Sequence, residues 1–190
     1  MSSRLKKILS AKALSKYGKL RANRKFVDWN NAMRIQFLYA ANILTAEDAV
    51  PLVSELYKIQ NLCKEEGKTP FFVIYSPFPI DSAPLENVLT VSKKDCGRFT
   101  SRPRKESLAE FGGYAADLLV NLSTADSYQL EFYAAASSAS FKTASTRQTD
   151  VSFKYDFLVA ANPENPETSA NSPLAVFKAI RYYLQMIKPA

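Results

Sequence analysis

Histidine is absent from this 190-residue chain. That removes Ser-His-Asp and Cys-His nucleophile pairs, histidine general bases and most zinc sites. Glycine is scarce, with five in all, and none begins a GxGxxG or a GxxxxGK(S/T) phosphate loop. Gly112 and Gly113 precede a strand-like run, the wrong side for a dinucleotide cradle. The two cysteines, Cys63 in a helical pattern and Cys96 in a loop, lack any paired spacing, so reduced thiols are expected rather than a disulfide. Long apolar runs are missing too. The longest, residues 37–44, is broken by Asn42 and falls far short of the roughly 20 residues that span a bilayer. The basic N-terminus lacks the apolar stretch and small-residue cleavage site of a secretory signal, so a cytoplasmic location is expected.

Acidic residues are absent from residues 1–25, which carry nine cations: Arg4, Lys6, Lys7, Lys12, Lys16, Lys19, Arg21, Arg24 and Lys25. The net charge of +7 therefore belongs to this segment, because the other 16 basic residues face 18 acidic ones. Such asymmetry points to a basic arm that meets an anionic surface, RNA or lipid headgroups, or else to a solvated helix. Leu5, Leu9, Ala13, Tyr17 and Leu20 recur at helical spacing, with Ile8 and Leu14 widening the stripe, so one face is expected against protein. The chain divides into an amphipathic helix in 1–25 and a single Rossmann-like α/β domain in 26–190.

What is present reads as strands alternating with helices. Residues 34–41 (RIQFLYAA) and 70–75 (PFFVIY) are apolar runs, the second continuous enough for a strand covered on both faces. Between them Ala49, Leu52, Val53, Leu56, Ile59 and Cys63 make a helical stripe, with Thr45 or Asn42 as its cap and Gly67 placed to end it. Trp29 sits in a polar cluster as a packing anchor. Residues 111–145 form a strand, turn, helix, strand unit: a strand at 117–122, a helix at 128–137 and a short strand at 140–144. A further strand at 155–160 and a helix from Pro173, capped by Asn171 or Ser172, complete the pattern. The fold class is α/β, a three-layer doubly wound sandwich with a mainly parallel sheet of about five strands.

Two groups of residues stand out as sites. Lys93, Lys94, Arg98, Arg102, Arg104 and Lys105 form a second basic cluster with Phe99 among them, the composition that holds a phosphate backbone and stacks a base, or that of a solvated loop. Ser76, Asp81, Asn121, Ser123, Thr124 and Asn162 are the polar groups expected at the carboxyl ends of the strands, where open α/β sheets bind ligands. They are suited to holding a ligand, and none has a base to activate it. Asp117 and Asp156 begin strands in similar contexts, ADLLVNLS and YDFLVAA, and are expected to cap turns. No metal or cofactor is implied.

The second half, from Phe111 through DLLVNLS, LEFYAAASSASFKTA and YDFLVAA to IRYYLQMIKPA, resembles a family of uncharacterised proteins of the Bacteroidota, a domain of unknown function. The likeness covers most of the chain after residue 34 and implies a soluble bacterial context without naming a reaction. In that family's pattern a glycine follows the FK segment, where this chain has Thr143 and Ala144. The same half is more weakly similar to the first Rossmann-like domain of heptosyltransferase-type glycosyltransferases, which need a second nucleotide-sugar-binding domain.

The function expected first is a non-catalytic binding or scaffold protein whose basic helix docks on RNA or a ribonucleoprotein. The alternatives are a small enzyme or sensor for a phosphorylated or sugar-like ligand at the strand ends, and peripheral association with an anionic membrane.

Overall fold

The computed structural model of the chain describes residues 3–17, 25–41, 45, 47–124, 126–145, 155–159 and 172–187. Lys19, Leu20, Arg21, Arg24, Asn42, Asn162, Asn171 and the segment 162–171 lie outside them, as do the side chains of Arg4, Lys6 and Tyr17. The elements run α1 (Ser3–Tyr17), β1 (Arg34–Ala40), α2 (Ala49–Glu65), β2 (Thr69–Ser76), β3 (Val88–Ser92), α3 (Lys105–Gly113), β4 (Leu118–Asn121), α4 (Tyr128–Ala136), β5 (Phe141–Ser145), β6 (Phe157–Val159) and α5 (Pro173–Met186).

Side chains on a strand alternate between faces, and both faces of this sheet are apolar. Ile35, Phe37, Phe72, Ile74, Leu118 and Val120 point to one side, where α2 and α5 supply Leu56, Ile59, Phe177 and Ile180. Leu38, Val73 and Leu119 point to the other, beneath Leu14 of α1, Leu108 and Phe111 of α3 and Phe132 and Tyr133 of α4. Three layers result. All strand pairs are parallel, in the order β3-β2-β1-β4-β5-β6. That is the order of dinucleotide-binding folds, with its reversal between β1 and β4.

The sheet has six strands where about five were expected. The addition is β3, whose sequence VLTVS is half exposed at a sheet edge and so lacks the apolar continuity of β1 and β2. The N-terminal stripe is also corrected. Leu5 and Ile8 are exposed, while Ser10 and Leu14 are the buried ones among the described side chains of α1. Small side chains on α1 and the alanine-rich α4 let the two helices come close, and the packed line follows Ser10, Ala13 and Leu14.

Most other local expectations hold. Gly67 has φ 70° and ends α2 in a Schellman arrangement, with Lys68 N donating to Cys63 O at 2.9 Å and Gly67 N to Lys64 O at 2.9 Å. Thr45 is not the cap of α2, whose N-cap is Asp48 without a side-chain cap bond; instead Thr45 and Asp48 exchange side-chain and backbone hydrogen bonds in the turn that precedes the helix. Ser172 Oγ accepts from Ala175 N to cap α5. Trp29 is 1% exposed and meets the Phe177 ring edge-on at 5.4 Å. Asp117 Oδ2 accepts from Met33 N and Arg34 N, and Asp156 Oδ2 from Lys142 N, so each aspartate caps the start of the neighbouring strand.

Neither cysteine is in a disulfide, and Cys63 is buried. Burial, and then the Glu66 carboxylate, push the Cys63 thiol up to about 12. An alkylating reagent at neutral pH is expected to label half-buried Cys96 at least roughly a hundredfold faster than Cys63, because the thiolate is the reactive form. Mass spectrometry of partially labelled protein reads that order directly, and equal labelling would refute it.

Candidate functional site

The strand reversal between β1 and β4 is where this topology usually holds a ligand. Here its polar groups bond to each other. Asn121 is fully buried, accepts from Ser123 N at 3.0 Å and donates to the Tyr155 hydroxyl at 2.7 Å. Tyr155 in turn donates to the buried Glu131 carboxylate at 3.1 Å. Ser123 Oγ accepts from Ala40 N at 2.8 Å, and Ser123 O accepts from Ser145 Oγ at 3.0 Å. These bonds tie β4 to β1, β5 and α4. Thr124 follows directly on the surface side of Ser123, half-buried. No glycine occurs between residues 19 and 66, so the turn after β1 lacks the phosphate cradle that the strand order would otherwise suit.

Ser76 and Asp81 lie elsewhere, the first at the end of β2 and the second in the loop beyond it, with β1 between them and β4. Asp81 is exposed and accepts from Ala83 N at 3.0 Å within its own loop. Ser76 is buried and opens onto a cavity of about 260 Å³ at the carboxyl ends of β2 and β3. Ile74, Val91, Phe78 and Ile80 form its apolar walls. Thr90, Ser92 and Asp95 complete its polar side, and sequence reasoning singled out none of the three. The polar groups expected at the strand ends therefore divide into an internal network and a cavity at the sheet edge.

Beside that cavity the chain leaves β3 and returns to α3 through residues 93–104, which carry the second basic cluster. A 3-10 turn at Lys93–Asp95 opens the connection. Its stem is closed by backbone bonds: Arg104 N donates to Asp95 O at 3.1 Å, and Gly97 N to Arg102 O at 2.8 Å, around a bridge between Cys96 and Pro103. Ser101, buried at φ 55°, donates its N–H to Gly97 O at 3.0 Å and turns the tip. The result is a rigid hairpin with Arg98 and Phe99 at its end. Phe99 is 55% exposed. Lys93, Lys94, Arg98, Arg102, Arg104 and Lys105 are all exposed. Arg104 pairs loosely with Asp95 at 3.6 Å, whereas Lys93, Lys94, Arg98 and Lys105 form no ion pair among the described residues.

Asp95 organises the stem from within. Its Oδ2 accepts from Ser92 Oγ at 2.7 Å and from Ser92 N at 3.0 Å. Those two bonds, with Arg104 and Lys94 nearby, hold its carboxyl below the usual 3.8. A depressed carboxyl contributes stability that is present above its unfolded value and lost as pH falls through the folded one. Accordingly the Ser92 amide signal is expected to move on acidification toward its position in an Asp95→Asn variant, with a midpoint below the ordinary carboxylate value of 3.8. A midpoint above the ordinary carboxylate value in an NMR titration would contradict this.

The N-terminal cations are distributed differently. Lys7, Lys12 and Lys16 are exposed on α1, which lies against α4, and Lys12 and Lys16 share a face. Lys25 is exposed at the opposite, amino end of the sheet, where its N–H donates to Ser140 O at 3.3 Å. Because Leu14 belongs to the core, deleting α1 would remove packing together with charge.

Among the described residues no helix is long and apolar enough to cross a membrane, and no three side chains of the His, Cys, Asp and Glu types come together as a metal site would need. No curated protein matches the chain. A family model does match, over residues 6–180, a span that reaches from α1 through all six strands into α5. The chain thus belongs to DUF6913, a family of unknown function.

Proposed function

We propose that this protein is a non-catalytic binding or scaffold protein that docks on RNA or a ribonucleoprotein, with the basic hairpin between β3 and α3 as its main contact and the cations of α1 as a second one. The observation that carries this is an exposed aromatic, Phe99, held at the tip of a hydrogen-bonded hairpin beside Lys93, Lys94, Arg98 and Lys105, which form no ion pair among the described residues. Those four cations are ready to displace counterions from phosphates, and an exposed ring can stack a base. Rigidity adds to affinity because little loop entropy is lost on binding. The β1–β4 crevice supports an enzyme less well, since its hydroxyls and amides already bond within the protein.

The test is fluorescence anisotropy of the intact protein with a labelled single-stranded oligouridylate, with anionic vesicles as competitor. Binding that weakens steeply between about 50 and 200 mM salt is expected, and vesicles should compete poorly. Absence of binding at low salt, or affinity indifferent to salt, would overturn the proposal. Preference for vesicles would favour the peripheral-membrane alternative instead, which draws on the exposed Leu5 and Ile8 of α1.

A further inference from the structure

We infer that the cavity between the carboxyl ends of β2 and β3 receives one splayed nucleobase, of a kind that carries an exocyclic amino group. The inference rests on the docking role given to the hairpin above and names what that site selects.

Position comes first. Ser92 and Asp95 belong to the cavity lining and also to the stem of the hairpin. A strand whose phosphates lie on Lys93, Lys94 and Arg98 therefore passes the mouth of the cavity. Single-stranded RNA is read in this manner, by bases turned out of the stack and bonded along their edges.

Size and walls come next. At about 260 Å³ the space lies at the small end of ligand pockets, suited to a single planar ring system. Ile74 lines it from the sheet on the same face as Thr90, and Phe78, 48% exposed, stands with Pro79 and Ile80 on the loop after β2. Apolar groups from both sheet and loop suit an apolar ring.

The polar side then chooses among bases. Asp95 Oδ2 already accepts two hydrogen bonds from Ser92, while Oδ1 meets Arg104 at 3.6 Å, beyond hydrogen-bond length, and keeps capacity to accept. Ser76 Oγ accepts from Phe78 N at 3.2 Å, so its own proton is available to donate. The Thr90 hydroxyl makes no hydrogen bond among the described residues, while its backbone pairs with Ile74 of β2. The lining thus offers an anionic acceptor beside two hydroxyl donors. Cytosine, adenine and guanine present an amino donor next to an acceptor, which matches. Uracil presents a single N–H between two carbonyls, and one of these would face the carboxylate.

Free nucleosides test the cavity without the phosphate contacts. Titrating isotope-labelled intact protein with cytidine should shift the amides of Ser76, Thr90 and Ser92, and uridine should bind on the order of tenfold more weakly. Thr90 is exposed on an edge strand, so Thr90→Phe should fold normally and block the cavity, abolishing the cytidine shifts. In Asp95→Asn the amide N–H₂ can face the guest, and the preference should move toward uridine. Unmoved lining amides with both nucleosides, or cytidine shifts that survive Thr90→Phe, would overturn the inference. Oligouridylate binding is read separately: RNA bound without nucleoside selectivity sinks the base pocket and leaves the hairpin. Nucleoside selectivity without RNA binding sinks the docking role and leaves a nucleobase cavity.

Discussion

Replacing Lys93, Lys94, Arg98 and Lys105 together by glutamine is expected to cost on the order of a hundredfold in affinity for single-stranded RNA at low salt. The slope of log affinity against log salt should fall by about 3, since each phosphate contact on a single strand contributes roughly 0.7. These side chains are exposed and form no ion pairs among the described residues, so stability should stay within about 0.5 kcal/mol of the parent. Phe99→Ala separates the second component. Loss of a stacking platform removes about 1–3 kcal/mol per base and leaves the salt slope unchanged. Charge and stacking thus leave different signatures in one titration series. A slope that did not move on removing four cations would mean that RNA, if bound, lies elsewhere on the protein.

The same substitution on α1, with Lys7, Lys12 and Lys16 changed to glutamine, reports whether the N-terminal helix joins the same contact. It is preferable to deleting residues 1–25, because Leu14 is 2% exposed beneath α1 and its loss would unsettle α4. A further fall of about 2 in slope would place both basic elements on one strand. An unchanged slope would assign the N-terminal charge to solubility.

The central strands were legible in the chain for a physical reason. β1 and β2 are covered on both faces, so RIQFLYA and PFFVIY read as apolar runs. The edge strand β3 was not, because a strand with one side open needs fewer apolar residues and the lysines directly after it suggested a loop. α3 was lost to the same cause: KESLAEFGG buries just Leu108 and Phe111. Its glycine has a packing role that spacing could not reveal, since a Cβ at Gly112 would stand 2.8 Å from Ala136 O of α4. Asn121 and Ser123 were correctly sought at the strand ends, but their hydrogen bonds run to Tyr155, Ala40 and each other, across separations invisible in one dimension. Thr90, Ser92 and Asp95 went unnoticed as a cavity because the first two lie on the strand that was missed and Asp95 on the turn directly after it.

Buried polar side chains were the other blind spot, and they explain how α3 and α4 can end inside the protein. The last turns of both helices lack a basic residue. Donors arrive from the sheet instead. Gln36 in β1 gives its amide to Phe111 O at 2.7 Å and Tyr114 O at 3.2 Å, and its carbonyl accepts from Ser137 Oγ. Lys142 in β5, 1% exposed, donates to Ala134 O at 2.6 Å and Ser137 O at 2.8 Å. Just before β2, buried Lys68 donates in a similar way to the carbonyls of a turn, Trp29 O at 2.8 Å and Ala32 O at 2.9 Å. A polar residue interrupting an apolar strand was the available signal, because a buried carbonyl at a helix end needs a donor from somewhere.

Lys142 is therefore expected to be among the most sensitive positions in the chain. Lys142→Met keeps much of the volume and removes the donors, leaving two buried carbonyls at the end of α4 without them. Each such group costs about 1–3 kcal/mol, less what is recovered by no longer burying a polar amine, so a net loss of about 2–3 kcal/mol follows. Lys142→Ala adds an unfilled space beneath α4 and should bring the loss to about 4–5 kcal/mol. For a chain of this length that lowers Tm by roughly 10–15 °C, against roughly 5–10 °C for the methionine variant. The gap between the two measures packing, and the methionine value measures the helix-end hydrogen bonds. Thermal denaturation of both variants decides between them. If Lys142→Met melted with the parent, the two carbonyls would not depend on this side chain, and α4 would owe its position to Leu130, Phe132 and Tyr133 in the core beneath it.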